Sequence, residues 1–217
     1  MDSEVLIVAR PDRRPRIECR GGIAARSTLA DTVHLISAAA TPLGGDTITI
    51  RVVVEAGAQL ALRSAAATIA LPSAETPLSR AQFDLEVAGS LDIDLEPTIV
   101  AGGAAHWSTV GAVIDGAGTL RLRERVQIGR SDERTGFWSG TLRADAKGQP
   151  LLRHRVELGV GAVADDALSA PRACISELRY PAEELTAPPG GVVLDLAAGG
   201  VLMTWQGDRL VALPPSR

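Results

Sequence analysis

The sequence predicts an all-β protein of stacked or sandwiched β-hairpins, with a helical solenoid as a variant and at most one or two short helices. Three observations predict this fold. Polar and apolar residues alternate in short segments along the chain, as in residues 47–52 (TITIRV). Clusters of glycine and proline separate these segments. A glycine followed closely by leucine, one further residue and a second apolar residue occurs three times, starting at Gly57, Gly89 and Gly118.

The first strands are predicted at residues 5–8, 17–26 and 32–36. Three pairs of strands follow, each joined by one of the glycine turns: 47–54 with 60–63, 83–87 with 91–96, and 110–114 with 120–125. The leucines that open the second strand of each pair, Leu60, Leu91 and Leu120, are spaced 31 and 29 residues apart. Hairpins at this interval indicate an all-β body, but three loose copies do not establish a true repeat.

The rest of the chain is also predicted to be mostly β. Residues 166–177 fit either a short helix or, over 172–180, a strand, because Pro171 limits helix formation. The other predicted elements are strands 141–144 and 151–160 around a turn at 145–148, a proline-rich loop at 181–191, a closing hairpin of 192–196 with 200–205, and a last strand at 209–213.

The composition limits the classes to which this protein can belong. The 217 residues are enough for a single domain, 1–217, with a sizeable core. Hydrophobic residues make up 46% but aromatic residues only 3%, so the core must consist mainly of Ala, Val, Leu and Ile. The net charge of −4, without a concentrated basic cluster, argues against nucleic-acid binding. Neither a membrane-spanning stretch nor a secretory signal is found, so we expect a cytoplasmic protein without membrane contact.

Most catalytic signatures are absent from the sequence. There is no phosphate-binding glycine loop and no dinucleotide fingerprint. Residues 136–140 (GFWSG) resemble a nucleophile elbow, but Ser139 stands one position too late. The histidines and cysteines are scattered, which argues against a stable metal site: His34, His106, His154, Cys19 and Cys174. We therefore expect a binding protein that is not an enzyme and holds no cofactor tightly.

Three motifs occur in a fixed order along the chain. The first is the corner at 42–46 (PLGGD), followed by two strands and the segment 64–68 (SAAAT). The second is 95–99 (LEPTI), and the third is 128–130 (IGR) with 133–136 (ERTG). In order and spacing, over roughly residues 20–160, these motifs resemble those of the UreD (UreH) family of urease accessory proteins.

The resemblance implies a non-enzymatic chaperone with a largely β fold. Such a protein binds the urease apoprotein and a UreF-type partner, and through that partner the UreG-type GTPase. Its role is nickel insertion into the urease metallocentre, with nickel(II) bound only in transit. The residues alone leave an alternative open, namely an all-β ligand-binding module or small enzyme with a pocket at the Gly-Gly-Asp corner.

The resemblance also points to a set of residues that line a nickel path or stabilise the motifs: Gly44, Gly45, Asp46, Ser64, Thr68, Glu96, Pro97 and Glu124. Hydroxyls and spaced carboxylates bind a divalent cation weakly enough to release it. Each candidate also has a structural interpretation. Asp46 can hydrogen-bond its own turn, Ser64 and Thr68 can simply pack, and Glu124 can pair with a neighbouring arginine.

Two predicted strands carry opposite charges. Asp92, Asp94 and Glu96 alternate with aliphatic residues along one strand, and three arginines do so along 120–125. These charges can pair across strands on a solvated sheet face. In view of the resemblance, the acidic face can instead line a polar passage.

Overall fold

A computed structural model describes residues 1–165 and 170–211, and this part of the chain consists of strands and connecting loops without helices. It therefore contains no helix that could cross a membrane. The prediction of an all-β protein is confirmed. The strands are β1 (Asp2–Ala9), β2 (Arg16–Arg20), β3 (Ile23–Ser27), β4 (Thr32–Ser37), β5 (Thr47–Val54), β6 (Gln59–Ser64), β7 (Thr68–Ala70), β8 (Leu78–Val87), β9 (Ser90–Asp94), β10 (Thr98–Val100), β11 (Ala105–Ile114), β12 (Thr119–Ile128), β13 (Phe137–Ala146), β14 (Gln149–Gly159), β15 (Ala173–Tyr180), β16 (Val192–Asp195) and β17 (Val201–Gly207).

The strands form two sheets. Sheet A has the order β14-β13-β11-β8-β5-β1-β2. Sheet B has the order β16-β17-β15-β12-β9-β6-β4-β3, with β10 joining β12 to β7 beside this path. Strands in the middle of each sheet are parallel, whereas β2, β3, β14, β15, β16 and β17 pair antiparallel. The chain therefore passes repeatedly from one sheet to the other in stacked coils that resemble a β-solenoid.

The prediction that β5 and β6, and the two later pairs, form hairpins is wrong. β5 pairs with β1 and β8 in sheet A, while β6 pairs with β4 and β9 in sheet B. Each glycine turn thus carries the chain across the core to the facing sheet. Alternation of polar and apolar residues indicates a strand with one buried face, but it does not specify which strand lies beside it.

The interval between the three leucines is the length of one coil. Leu60 lies beside Leu91, and Leu91 beside Leu120, in the parallel ladder of sheet B. Close stacking of the turns requires glycine at the second and third of these turns, at Gly89 and Gly118. A Cβ atom on Gly89 would lie 2.3 Å from the carbonyl oxygen of Ala58, and one on Gly118 would lie 2.3 Å from that of Val87. Any larger side chain would push adjacent coils apart.

Aliphatic side chains from both sheets fill the space between them. Val52, Leu62, Leu85, Leu91 and Ile114 are among those with almost no exposed surface. These residues occupy alternate positions along their strands, as the pleat requires. The core is built from the small aliphatic residues that the composition predicts.

The oppositely charged residues on the outer face of sheet B pair across strands. Arg121 contacts Asp92 at 2.7 Å, and Arg123 contacts Asp94 at 3.1 Å. The carboxylate of Glu177 on β15 is fully buried and accepts hydrogen bonds from Arg121, Arg123 and Arg179. Asp92 and Asp94 therefore belong to an outer ion-pair ladder and do not line an internal passage.

The carboxyl-terminal part of the chain follows the prediction in most places. The hairpin of β13 with β14 and the closing hairpin of β16 with β17 are confirmed. Residues 173–180 form a strand, so the strand alternative is correct there, while 166–169 lie outside the described residues. Residues 209–211 do not form the predicted last strand, and 212–213 lie outside the described part. β16 forms a free edge of sheet B with exposed Val192, Val193 and Leu194.

We predict that Glu177→Gln destabilises the protein by about 3 kcal/mol, because it removes the buried carboxylate that Arg121, Arg123 and Arg179 share. Burial raises the pKa of Glu177, but the hydrogen bonds from Arg179 and Arg123 and the nearby arginine charges outweigh burial and lower that pKa. The carboxylate therefore stabilises the fold above its unfolded pKa of about 4.3, and this contribution is lost as the pH falls through the lower folded pKa.

Urea unfolding between pH 3 and pH 7 measures this effect. The Glu177→Gln variant should show a flatter loss of stability on acidification than the wild-type chain. Glu183→Gln is the control, because Glu183 is 67% exposed and contacts Arg179 at the longer distance of 3.5 Å. Equal stability of wild type and Glu177→Gln at pH 7 would contradict the assignment.

Candidate functional site

A cavity of about 260 Å³ lies between the two sheets and is lined by successive coils, from β5 and β6 to β11 and β12. Its walls are largely apolar and come from both sheets: Ile48, Ile50, Phe83, Ile93, Val110 and Leu122. The segment 65–67, which consists of three exposed alanines, and the exposed Ile36 and Ser37 border it on the outside. Alanine and serine residues lie among these larger side chains, and the volume left between them is large enough for several waters.

Glu124 is the carboxylate inside this cavity. The residue stands on β12 between Arg123 and Arg125, but alternation along the strand turns its side chain to the inner face. The carboxylate accepts a hydrogen bond from the hydroxyl of Ser108 on β11 at 2.8 Å. Both arginines bond to the outer acids, so the predicted pairing of Glu124 with a neighbouring arginine is wrong.

The environment of Glu124 disfavours its charged form. Burial raises the pKa of Glu124, and the single hydrogen bond from Ser108 only partly opposes that effect. Glu124 is partly exposed, and it is one of the residues that line the cavity. An unpaired interior carboxylate costs free energy, and such groups cluster at functional sites.

His106 and Ser79 are polar residues of the site that sequence reasoning missed. His106 borders the cavity, and its Nδ1 lies 2.9 Å from the Ser79 hydroxyl on the neighbouring strand β8. Burial lowers the pKa of His106 to about 4, so the imidazole is neutral at neutral pH. The available signal was the alternation along β11, which places His106, Ser108 and Val110 on one inward face.

Besides Glu124, three of the predicted site residues border the cavity, namely Ser64, Thr68 and Glu96, and Pro97 is adjacent to them in sequence. Ser64 and Thr68 frame the three alanines, and Glu96 and Pro97 lie on the next coil. The main-chain N–H of Glu96 donates to the Ser64 hydroxyl at 2.9 Å, and the N–H of Thr68 donates to the Pro97 carbonyl at 3.0 Å. The side chain of Glu96 is exposed. These hydrogen bonds join the segment 64–68 to residues 96–97 of the next coil at the border of the cavity.

The Gly-Gly-Asp corner lies beside the cavity and does not line it. Asp46 is buried, and its carboxylate accepts hydrogen bonds from the Thr41 hydroxyl, the Leu43 main-chain N–H and the Met1 amino group. Burial raises the pKa of Asp46, but these donors outweigh burial and lower it. Asp46 therefore stabilises its own turn, which is the structural interpretation given above, and it does not border the cavity.

The two glycines of the corner allow the chain to pass close to its neighbours. Gly45 has a φ of +92°, a backbone conformation that favours glycine. Gly44 donates its N–H to the carbonyl of Leu71 at 2.8 Å. Of the corner residues 42–46, Pro42 alone borders the cavity, so the alternative of a pocket built at the corner itself is not supported.

The third motif is also a structural turn. The Glu133 carboxylate accepts hydrogen bonds from the main-chain N–H of Gly102 at 2.8 Å and of Arg130 at 3.0 Å. The Arg130 side chain and these two N–H groups lower the pKa of Glu133 to about 2. The motif fixes the loop between β12 and β13 against the preceding coil.

The site as a whole offers few ligands for a metal ion. Within residues 1–165 and 170–211, no three His, Cys, Asp or Glu side chains are grouped closely enough to hold a metal ion. The Glu124 carboxylate, the neutral His106 imidazole and several hydroxyls surround a largely apolar space, with the exposed Glu96 at its border. This donor set suits weak, reversible contacts with a hydrated cation.

The fold and the site define a β protein of stacked coils that encloses an acid-bearing cavity. A sequence model described as UreD urease accessory protein matches residues 24–198. Urease accessory protein UreD 1 of Saccharopolyspora erythraea is 34% identical over 192 residues, which cover 85% of this chain and 75% of that protein. The chain belongs to the UreD family of urease accessory proteins.

Other relatives match to a similar degree. Urease accessory protein UreD of Parafrankia sp. is 33% identical over 212 residues, which cover 83% of this chain and 71% of that protein. The protein of the same name from Frankia alni is 41% identical over 146 residues, covering 59% of this chain and 49% of that protein. The match to the Frankia alni protein thus spans about half of the relative's length.

We predict that Gly44→Ala destabilises the protein by about 2 kcal/mol. The added Cβ would lie 1.8 Å from the Thr76 carbonyl oxygen and 2.7 Å from the Ser73 nitrogen, and main-chain atoms cannot move aside easily. Gly111→Ala is the control, because its Cβ would meet only the Asp84 carboxylate at 3.9 Å. Chemical denaturation of both variants measures the difference, and equal stabilities would refute the close approach at Gly44.

Replacing Glu124 should have the opposite effect on stability. An acid with a raised folded pKa costs stability increasingly as the pH rises from its unfolded pKa of about 4.3. Glu124→Gln keeps an acceptor for Ser108 without the charge, so we expect a gain of about 1 kcal/mol at pH 8 and no gain at pH 4. Thermal unfolding at the two pH values tests this expectation. A variant less stable than wild type at pH 8 would contradict it.

Proposed function

We propose that this chain is a urease maturation chaperone that binds the urease apoprotein and assists the delivery of nickel(II) to the urease active site. The observation that carries the proposal is the convergence of Ser64, Thr68 and Glu124 from different coils on one interior cavity. Family membership supplies the context of urease assembly. Nickel(II) is the cargo of this process and not a resident cofactor of the chain.

The chemistry of the cavity suits passage better than storage. Nickel(II) binds tightly where several imidazole or thiolate ligands surround it. Here the carboxylate inside the cavity is that of Glu124, the exposed Glu96 lies at the border, and hydroxyl oxygens supply most other contacts. A hydrated ion can exchange its waters for these oxygens and leave again without a large barrier.

The surface beside the cavity supports docking of partner proteins. Ile36 and Ile69 are 38% and 42% exposed, and they flank the alanine segment 65–67. Apolar residues grouped on a surface are typical of protein–protein contacts. We assign this surface to a complex with a UreF-type protein, and through it a UreG-type GTPase, in the cytoplasm where urease is assembled. In this proposal the chain itself catalyses no reaction.

Co-expression of the tagged chain with the urease subunits and the UreF- and UreG-type proteins of its own organism tests the proposal. We expect recovery of a complex and nickel-dependent urease activity that requires this chain. Glu124→Gln should leave the complex intact and lower urease activation about tenfold, the usual scale for loss of one metal-contacting group. Glu75→Gln, at an exposed loop position, is the matched control.

The proposal fails if no complex is recovered and urease activation is the same with and without the chain. A Glu124→Gln variant that activates urease as well as Glu75→Gln would separate the two parts of the proposal. Chaperone function would then stand, and transit through this cavity would be refuted.

A further inference from the structure

We infer that His106 and Glu124 form a nitrogen-and-oxygen binding station inside the cavity that selects borderline transition-metal dications over magnesium and calcium. The inference rests on the proposed function for the identity of the cargo. It adds a nitrogen ligand, an orienting hydroxyl and a basis for selectivity.

One nitrogen of His106 is engaged and the other is available. Nδ1 lies 2.9 Å from the Ser79 hydroxyl. The bond to Ser79 leaves Nε2 uninvolved, and His106 borders the cavity. When Nδ1–H donates to Ser79, Nε2 carries a free lone pair. Metal-binding histidines commonly donate their other N–H to an oxygen in this way, which fixes the tautomer and ring orientation.

Ser108 connects His106 to Glu124. His106 and Ser108 are two residues apart on the inward face of β11, which places their Cα atoms about 7 Å apart along the strand. The Ser108 hydroxyl lies 2.8 Å from the Glu124 carboxylate, which comes from the facing sheet. The imidazole and the carboxylate therefore border the same part of the cavity from opposite walls, where one hydrated ion can contact both.

The imidazole is the group that gives selectivity. Oxygen ligands alone bind magnesium and calcium, whereas imidazole suits nickel, cobalt, copper and zinc. With one imidazole and one carboxylate, the station prefers transition metals yet binds them weakly enough for release. Ser79 is a positioning residue in this arrangement because it acts only through His106.

The test uses the full chain with ¹⁵N-labelled histidine and follows the ring nitrogens by NMR while Ni(II) is added. We expect the paramagnetic ion to broaden the His106 signals at the lowest Ni(II) concentrations. His34 and His154 are internal controls, because His34 bonds to Thr28 at the surface and neither residue borders the cavity. A large excess of Mg²⁺ should not restore the His106 signals.

Three variants sharpen this measurement. Glu124→Gln should weaken Ni(II) binding at His106 about tenfold, and His106→Gln should abolish the high-affinity phase of the titration. Ser79→Ala should shift the ¹⁵N frequencies of His106 toward a mixture of tautomers before any metal is added. A purely structural role for Ser79 would leave the tautomer unchanged in a folded variant.

Broadening of His34 or His154 at lower Ni(II) concentrations than His106 would overturn the inference. Reversal by Mg²⁺ at similar concentrations would overturn the selectivity. Both outcomes are independent of urease activation. The station can therefore fail while chain-dependent activation stands, and a chain without effect on urease can still bind Ni(II) at His106.

Discussion

The main-chain hydrogen bonds between successive coils are the constraint on which the rest of this structure depends. They hold Leu60, Leu91 and Leu120 side by side, and they fix which residues of every strand face inward. Because this ladder supports the walls independently of what lies between them, part of the interior can stay open. Small residues such as Ala65 and Ser108 line that part, so the cavity follows from the stacking together with small side chains.

Strand geometry also separates charges that are adjacent in sequence. Arg123 and Arg125 point outward and pair with acids of the neighbouring strands, whereas Glu124 between them points inward and meets only a hydroxyl. Three consecutive ionisable residues thus experience opposite environments. The outer pairs stabilise sheet B, and the inner carboxylate lowers stability. A carboxylate that lowers the stability of the fold is expected where a functional site requires its charge.

Much of the fold could be predicted. Alternation of polar and apolar residues indicates strands, and the spacing of the glycine turns gives the length of one coil. The identity of neighbouring strands could not be predicted, since hairpins and stacked coils bury the same faces. Site prediction divides in the same way. Spacing and family motifs led to Ser64, Thr68 and Glu124, which border the cavity, but also to Asp46, whose carboxylate is used by its own turn. His106 was missed because its partner, Ser79, is adjacent only across strands.

The stacked coils also determine which changes in chain length this protein can accumulate during evolution. An added or deleted residue in a turn, such as that around Gly57, changes only the path between the sheets. One residue lost from β12 would instead reverse every later side chain of that strand, directing arginines into the core and leucines to solvent. Insertions and deletions among related sequences should therefore concentrate in the turns, and strand lengths should stay constant.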